Sequence, residues 1–184
     1  MKYETNLSHS MNVLEKYKAN TVEENQAIAK SLTKNFAAAT FNLKGDLNLG
    51  SIIRTAHLTG ARDFFILSHR KWDRRSSVGT HHYINVEKHD ECIDWKTTED
   101  MIISKGYSPI VVEHGGMLLS EWIPFVTQHA YEQAKGLPPC FIFGPEEGFG
   151  PDWPAHISLE QMGVSRSYNV SAAAAIVLYN WSFR

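Results

Sequence analysis

Four short apolar runs alternate with segments of helical length, and this alternation limits the folds that the chain can adopt. The predicted strands, each apolar enough to be buried on both faces, are FAAATFNL (36–43), DFFILS (63–68), SPIVVE (108–113) and PPCFIFG (138–144). The predicted helices between them, each closed by a glycine at or near its end, are residues 48–61, 95–106 and 126–136. This pattern predicts an α/β fold with a mostly parallel sheet.

The amino-terminal part of the chain has a different composition, polar and rich in Lys and Glu. One or two helices are predicted there, from the helix-forming segments 11–20 and 21–32, and the second segment opens with the capping-box pattern TVEE. At 184 residues with 43% hydrophobic content, the chain is long enough for one α/β domain with a small appendage. We therefore predict a helical extension over residues 1–34 and a main domain over residues 35–184.

The overall charge does not indicate a partner. The net charge is −2 and the isoelectric point is near 6.5, so any affinity for nucleic acid must come from a local basic patch. Cys92 and Cys140 are far apart and lack metal-ligand spacing, which predicts buried, reduced thiols. No apolar run approaches the ~20 residues of a membrane span, and the amino terminus lacks the apolar core of a signal peptide. A soluble, cytoplasmic protein is predicted.

The predicted helix over residues 48–61 carries a candidate binding residue. Its apolar stripe includes Leu49, Ile52 and Ile53, and Asn48 stands where a helix N-cap is expected. Arg54 follows at the edge of this stripe, where a guanidinium can present its donors to a phosphate or a carboxylate in a cleft. The alternative interpretation is structural, with Arg54 capping a neighbouring element or pairing with an acid.

The segment FIFGPEEGFGPDWP (141–154) is a predicted strand that ends in a glycine-rich, acidic loop. Ligands of open α/β sheets bind beyond the carboxyl ends of the strands, and glycine lets the backbone approach a ligand closely. The glycine spacing is wrong for a phosphate loop, and Glu146 and Glu147 would repel phosphate. The loop therefore favours a cationic or hydroxyl-rich ligand, with a solvated surface turn as the alternative.

One basic segment, SHRKWDRRSS (68–77), interleaves an aromatic side chain with four cations. Such a segment after a strand is typical of a loop that contacts a nucleic-acid backbone and stacks a base. The candidate RNA-binding residues are Arg70, Lys71, Arg74 and Arg75, with Trp72 among them. The alternative is a loop that only increases solubility.

The last candidate is SRSYNVSAAAAIVLYNW (165–181), a polar turn that leads into an alanine-rich helix. The free amides of the first helical turn would attract an acceptor, and the small side chains would permit close packing. No metal site is predicted, because no two histidines have the HxxxH spacing on a predicted helix. The GxSxG elbow of serine hydrolases is also absent from the sequence.

Three of these segments, in this order, resemble motifs 1, 2 and 3 of the TrmH (SpoU) branch of the SPOUT RNA methyltransferases. They are NLGSIIRTAHLTGA, FIFGPEEGFG and LEQMGVSRSYNVSAAAAIVLYNW, and the resemblance covers roughly residues 35–182. It implies a Rossmann-like α/β domain whose carboxy-terminal part forms a deep trefoil knot, an exception to the rule that chains do not thread loops. It also implies S-adenosylmethionine as the methyl donor and a homodimer with the active site at the subunit interface.

The resemblance assigns roles to individual residues. Its catalytic residues fall on Asn48, Arg54, Glu146, Ser167 and Asn169. Its cofactor-binding positions fall on Val112, Gly144, Leu159 and Tyr168. Family members commonly have leucine where this chain has Tyr168, so the shape of the cofactor pocket is expected to differ. RNA affinity is expected to come from the amino-terminal helices and the basic segment.

The resulting hypothesis is an S-adenosylmethionine-dependent methyltransferase acting on a ribose 2′-hydroxyl of tRNA or rRNA. Because arginine is a protonated donor at ordinary pH, Arg54 is expected to position a phosphate and polarise the hydroxyl rather than act as a free base. Two alternatives stay open: a base-methylating enzyme of the same fold, and a non-catalytic RNA-binding protein.

Overall fold

The computed structural model describes residues 12–127 and 136–184, and these residues form a parallel six-stranded sheet. The strands are β1 (Ala37–Phe41), β2 (Asp63–Leu67), β3 (Asn85–His89), β4 (Ser108–Leu118), β5 (Pro139–Phe143) and β6 (Ile157–Ser158). Their order across the sheet is β3-β2-β1-β5-β4-β6, and every pair is parallel. The predicted α/β fold with a mostly parallel sheet is confirmed.

Within the described residues, five α-helices connect and cover the strands. They are α1 (Val22–Ser31), α2 (Asp46–Leu58), α3 (Trp95–Ser104), α4 (Leu119–Phe125) and α5 (Val170–Ser182). Short 3-10 turns lie at Glu15–Tyr17, Arg74–Ser77 and Thr80–His82. None of the helices in the described ranges is long and apolar enough to cross a membrane.

The core has two halves, one on each face of the sheet. Alternate residues of the central strands point to opposite faces, so that Ala38 belongs to one half while Ala37 and Ala39 belong to the other. The first half is shared with α2, α4 and α5, and the second with α3. Because both faces are covered, β1 and β5 are buried almost throughout, as their unbroken apolar sequences predicted.

The described part of the amino-terminal segment contains one α-helix, where one or two were predicted. The predicted capping box is present, because Thr21 Oγ1 accepts from the backbone amide of Glu24 at 3.2 Å and the Glu24 carboxylate accepts from the amide of Thr21 at 2.7 Å. The described part of residues 11–20 holds only the 3-10 turn Glu15–Tyr17. Most of the helix predicted over 126–136 lies outside the described residues.

Strand β4 pairs with β6 in two places, separated by a bulge. Ile157 is opposite both Val112 and Met117, so residues 113–116 leave the ladder. Gly116 allows the two chains to meet, because a Cβ at this position would lie 2.6 Å from the amide nitrogen of Ile157. The ladder is extended by His156, whose Nδ1 accepts a hydrogen bond from the amide of Val111 at 3.0 Å.

We expect His156 to make stability dependent on pH. Burial lowers the pKa of His156 below its ordinary value, so folding favours the neutral ring that accepts from Val111. This stabilisation is complete above pH ~6.5, the unfolded pKa, and decreases as the pH falls through that value towards the lower folded pKa. Urea unfolding of the wild type and His156→Gln between pH 8 and 5 measures it. His57, whose pKa burial also lowers, is present in both proteins and cancels in the difference.

Candidate functional site

A cleft opens where the carboxyl ends of β4, β5 and β6 meet the start of α5. Six predicted site residues line it together: Val112, Gly144, Glu146, Leu159, Ser167 and Tyr168. Phe143, Val170 and Ala173 add apolar wall. These residues lie far apart in sequence, and the parallel sheet brings them to one edge, which is where ligands of open α/β sheets bind.

The loop after β5 is held by aromatic packing on the side away from the solvent. A Cβ at Gly144 would lie 2.5 Å from the ring of Phe149, so the close approach of this ring requires glycine. The Phe149 ring is 4.5 Å from that of Trp153 and 5.9 Å from that of Phe41, measured between centroids. The predicted binding loop therefore packs on an aromatic cluster behind the cleft wall.

Glu113 belongs to the cleft and was missed by the sequence analysis. Its carboxylate accepts hydrogen bonds from the amides of Phe149 at 3.1 Å and His114 at 2.8 Å, which ties the β4 bulge to the loop after β5. Gly148 has a φ of +87°, and a Cβ there would approach the same carboxylate to 3.3 Å. No local pattern identified Glu113, because residues 108–113 were predicted as one buried strand.

Tyr168 holds the segment before α5 in place. Its hydroxyl donates to the backbone carbonyl of Glu160 at 3.0 Å. The Glu160 carboxylate accepts from the amide of Ser120 at 3.1 Å, and hydrogen bonding to Ser120 lowers the pKa of Glu160. The hydrogen bond from Tyr168 therefore connects the two ends of the segment 160–168.

Asn169 links two of the three sequence motifs. Its Oδ1 accepts from the amides of Ser171 at 2.9 Å and Ala172 at 3.4 Å, so it is the N-cap of α5. Its Nδ2 donates to Oδ1 of Asn48 at 3.2 Å. The prediction that Asn48 caps α2 is wrong: the N-cap is Gly45, three residues before the predicted position, and this frees the Asn48 side chain for the link.

Two substitutions of Asn169 separate capping from this link. We expect Asn169→Ala to lower the free energy of unfolding by about 1 kcal/mol, because the N-cap is lost. Asn169→Ser keeps a capping acceptor for the α5 amides, but its shorter side chain does not reach Asn48, so stability should be retained while the methyl transfer implied by the sequence resemblance falls. Chemical denaturation and a labelled-methyl assay measure the two effects. Wild-type transfer by Asn169→Ser would show that the link has no role in the reaction.

Arg54 lies on the exposed side of α2. Within the described ranges, the structure gives its guanidinium no hydrogen bond and no ion pair, so the structural role considered for it, capping or pairing with an acid, is not observed. It is also not among the residues that line the cleft of its own chain. Arg54 is thus available to a group that comes from outside this part of the molecule.

The four cations of the basic segment differ in their contacts. Arg70 forms an ion pair with Asp46 at 3.2 Å, and Arg75 forms one with Asp73 at 2.6 Å. Lys71 and Arg74 are exposed and form no ion pair with any described residue. Trp72, which was expected to stack on a base, is half-buried against the core.

The segment is positioned by a close approach to α2 that the sequence analysis did not identify. Gly50 faces the turn Arg74–Ser77, and a Cβ at this position would lie 2.3 Å from the backbone carbonyl of Ser76. Since Arg54 is one helical turn beyond Gly50, the basic segment and Arg54 are held on neighbouring parts of one surface.

Solved structures share this fold. A TrmH/SpoU tRNA modifying enzyme from A. aeolicus is 18% identical, with a TM-score of 0.65 over 88% of this chain and 80% of that one. An RNA 2′-O ribose methyltransferase is 21% identical, with a TM-score of 0.57 over 80% of this chain and 56% of that one. AviRb from Streptomyces viridochromogenes, a SpoU methyltransferase in complex with AdoMet, is also 21% identical, with a TM-score of 0.60 over 84% and 60%. The chain thus spans under two thirds of the last two proteins.

The sequence itself matches a family. A comparison with curated proteins found no significant match to this sequence. The model of the SpoU rRNA Methylase family matches residues 35–179, which is most of the chain and includes the sheet, the cleft and both members of the Asn48–Asn169 link. The chain therefore belongs to the SpoU rRNA methylase family.

Proposed function

We propose that this protein transfers a methyl group from S-adenosylmethionine to a ribose 2′-hydroxyl of tRNA or rRNA. The observation that carries the proposal is the hydrogen bond between Asn48 and Asn169, because it joins the helix of Arg54 to the wall of the cleft. In a homodimer, this link would fix the geometry between the cleft of each copy and the Arg54 that the copy presents to its partner.

The residues of the cleft fit the cofactor chemically. Apolar walls at Val112 and Leu159 suit an adenine ring, and the backbone at Gly144 is accessible to a close ligand. The carboxylates of Glu113 and Glu146 suit hydroxyl groups and positive charge. Tyr168 would complete the binding site. When bound, S-adenosylmethionine supplies a methyl group on a positively charged sulfur.

The remaining proposed roles concern the nucleotide. Arg54 would bind a phosphate through its fork of donors and polarise the 2′-hydroxyl, which lowers the barrier by alignment and charge stabilisation. The link between Asn48 and Asn169 would hold the helix that carries Arg54 in a fixed position. Ser167 and Glu146 would contact the sugar at the cleft mouth.

A homodimer is proposed because Arg54 does not line the cleft of its own chain. The helices α2 and α5 pack on each other and expose large apolar side chains: Leu47, Leu58, Tyr179 and Phe183. A second copy would cover this surface and bring its own Arg54 close to the cleft. Light scattering measures the mass in solution.

The proposal has three further parts: a trefoil knot, a separate amino-terminal extension and a cytoplasmic location. A trefoil knot in the carboxy-terminal part is supported by α5, which follows the edge strand β6 in the chain yet packs against α2. Mechanical stretching tests for it, because a knotted chain stays shorter than its contour length. A separate extension over residues 1–34 is supported by α1, which buries no residue. A cytoplasmic location is supported by two free, buried cysteines.

The test is transfer of labelled methyl from S-adenosylmethionine to total tRNA and to rRNA, followed by alkaline hydrolysis. A 2′-O-methyl group blocks cleavage of the neighbouring phosphodiester, so label in alkali-resistant dinucleotides supports the proposal. Label on a base would replace it with base methylation. Cofactor binding without transfer to either RNA, or no cofactor binding, would contradict it.

A further inference from the structure

A second concave surface lies at the β3 edge of the sheet and shares no residue with the cleft. We call it the edge groove; it has a volume of about 1000 Å³. Helix α1, strand β3 and the segments 71–74 and 81–84 form its walls. The side chain of Gln26 donates to the backbone carbonyl of His82 at 2.9 Å, which fixes α1 to the opposite wall.

The edge groove concentrates positive charge in a chain whose net charge is −2. Its basic side chains are Lys30, Arg62, Lys71, Arg74 and Lys88, and its acid is Asp63. Asp63 is already engaged by Arg62, by Asn85 and by the hydroxyl of Tyr107.

Three of the cations have no counter-charge. Lys30, Lys71 and Arg74 are exposed, and no described carboxylate forms an ion pair with any of them. They come from two separate parts of the chain and converge on one groove. Such an arrangement attracts a polyanion, because an extended row of phosphates can meet all three at once.

Aromatic rings line the same groove. They belong to Trp72, His81, His82 and Tyr83, all half-buried, and the rings of the first three also pack against one another. Rings beside cations are the combination that binds single-stranded nucleic acid, since bases stack on the rings while phosphates meet the cations. A duplex keeps its bases paired inside and cannot use the rings.

The groove is also held at a fixed position relative to Arg54. The turn that carries Arg74 packs on α2 at Gly50, where the backbone of Ser76 leaves no space for a Cβ. Arg54 is four residues beyond Gly50 on the same helix. The wall of the groove that carries Arg74 and the helix that carries Arg54 are therefore in direct contact.

We infer that the edge groove binds a single-stranded RNA segment that flanks the methylated nucleotide, with Lys30, Lys71 and Arg74 on its phosphates. This inference rests on the proposed function. It also limits the RNA-binding cations of the basic segment to Lys71 and Arg74, because Arg70 and Arg75 are held in ion pairs and do not line the groove.

The test compares two triple variants of the full chain with equal change of charge. The groove triple is Lys30→Ala, Lys71→Ala and Arg74→Ala. The matched triple is Arg70→Ala, Arg75→Ala and Lys96→Ala, three residues in ion pairs outside the groove. Fluorescence anisotropy measures binding of a labelled 15-nucleotide mixed-sequence RNA, single-stranded or as a duplex, at several salt concentrations.

We expect the groove triple to raise the dissociation constant for single-stranded RNA about tenfold or more and to reduce the salt slope by about two. The matched triple should stay within about twofold of the wild type. The inference would be overturned if both triples weakened RNA binding equally or if neither weakened it. It would also be overturned if the wild type bound the duplex more tightly than the single strand. Methyl transfer by the wild type is assayed separately. If the wild type transfers methyl groups but the groove triple binds RNA as the wild type does, the edge groove is overturned and the proposed function stands. If the groove triple loses RNA binding but the wild type transfers no methyl group, only the proposed function is contradicted.

Discussion

Arg54→Ala is expected to lower the rate of methyl transfer to RNA about 100- to 1000-fold. An oriented donor that stabilises developing charge in an enclosed site typically contributes this much, and the structure offers no neighbouring cation on α2 to replace it. Single-turnover transfer of labelled methyl, with enzyme in excess over RNA, measures the chemical step directly.

The fold should tolerate this substitution. Because the Arg54 side chain is exposed and has no partner among the described residues, the melting temperature and the affinity for S-adenosylmethionine should be unchanged. Arg54→Lys keeps the charge but loses the planar fork of donors, so an intermediate rate is expected. A rate within about tenfold of the wild type for Arg54→Ala would exclude the proposed role.

Gly50→Ala is expected to destabilise the protein by about 2 kcal/mol, or roughly 4–8 °C in melting temperature. Helix propensity alone predicts the opposite sign, because alanine is favoured over glycine inside a helix by about 1 kcal/mol. The Cβ would meet the backbone of Ser76 at 2.3 Å, and backbone cannot rotate away as a flexible side chain can. The turn Arg74–Ser77 must therefore move off α2.

Gly163→Ala is the matched control, since a Cβ at that position has nothing within 4 Å. It should change stability by less than about 0.5 kcal/mol. Thermal unfolding of the three proteins measures both effects, and RNA binding by Gly50→Ala shows whether displacement of the turn also weakens the edge groove. Gain of stability by Gly50→Ala would contradict the close approach.

The parts of the fold that follow from local pattern were predicted correctly. The buried runs became β1, β2, β4 and β5, and the glycines after the helices adopt positive φ, at Gly60 (+85°) and Gly106 (+84°). Strands β3 and β6 were missed for different reasons. The NVEKH of β3 is polar because it is a sheet edge, and β6 has only two residues, too few for a periodic signal.

The candidate site was predictable as a set of residues but not as an arrangement. Motif spacing identified Asn48 and Asn169, yet their hydrogen bond joins residues that are 121 positions apart and depends on the packing of α2 on α5. Glu113 and Gly50 were missed because their roles depend on partners, the amide of Phe149 and the backbone of Ser76, that no local pattern reveals.

The aromatic packing behind the cleft gives the protein an internal optical reporter. The Trp153 indole contacts Phe149, whose ring rests where a side chain at Gly144 would be, so a ligand that shifts the loop after β5 also shifts the surroundings of this indole. Tryptophan emission is sensitive to such changes, and Trp153→Phe would identify the contribution of this residue. Cofactor titrations can therefore be followed without any attached dye.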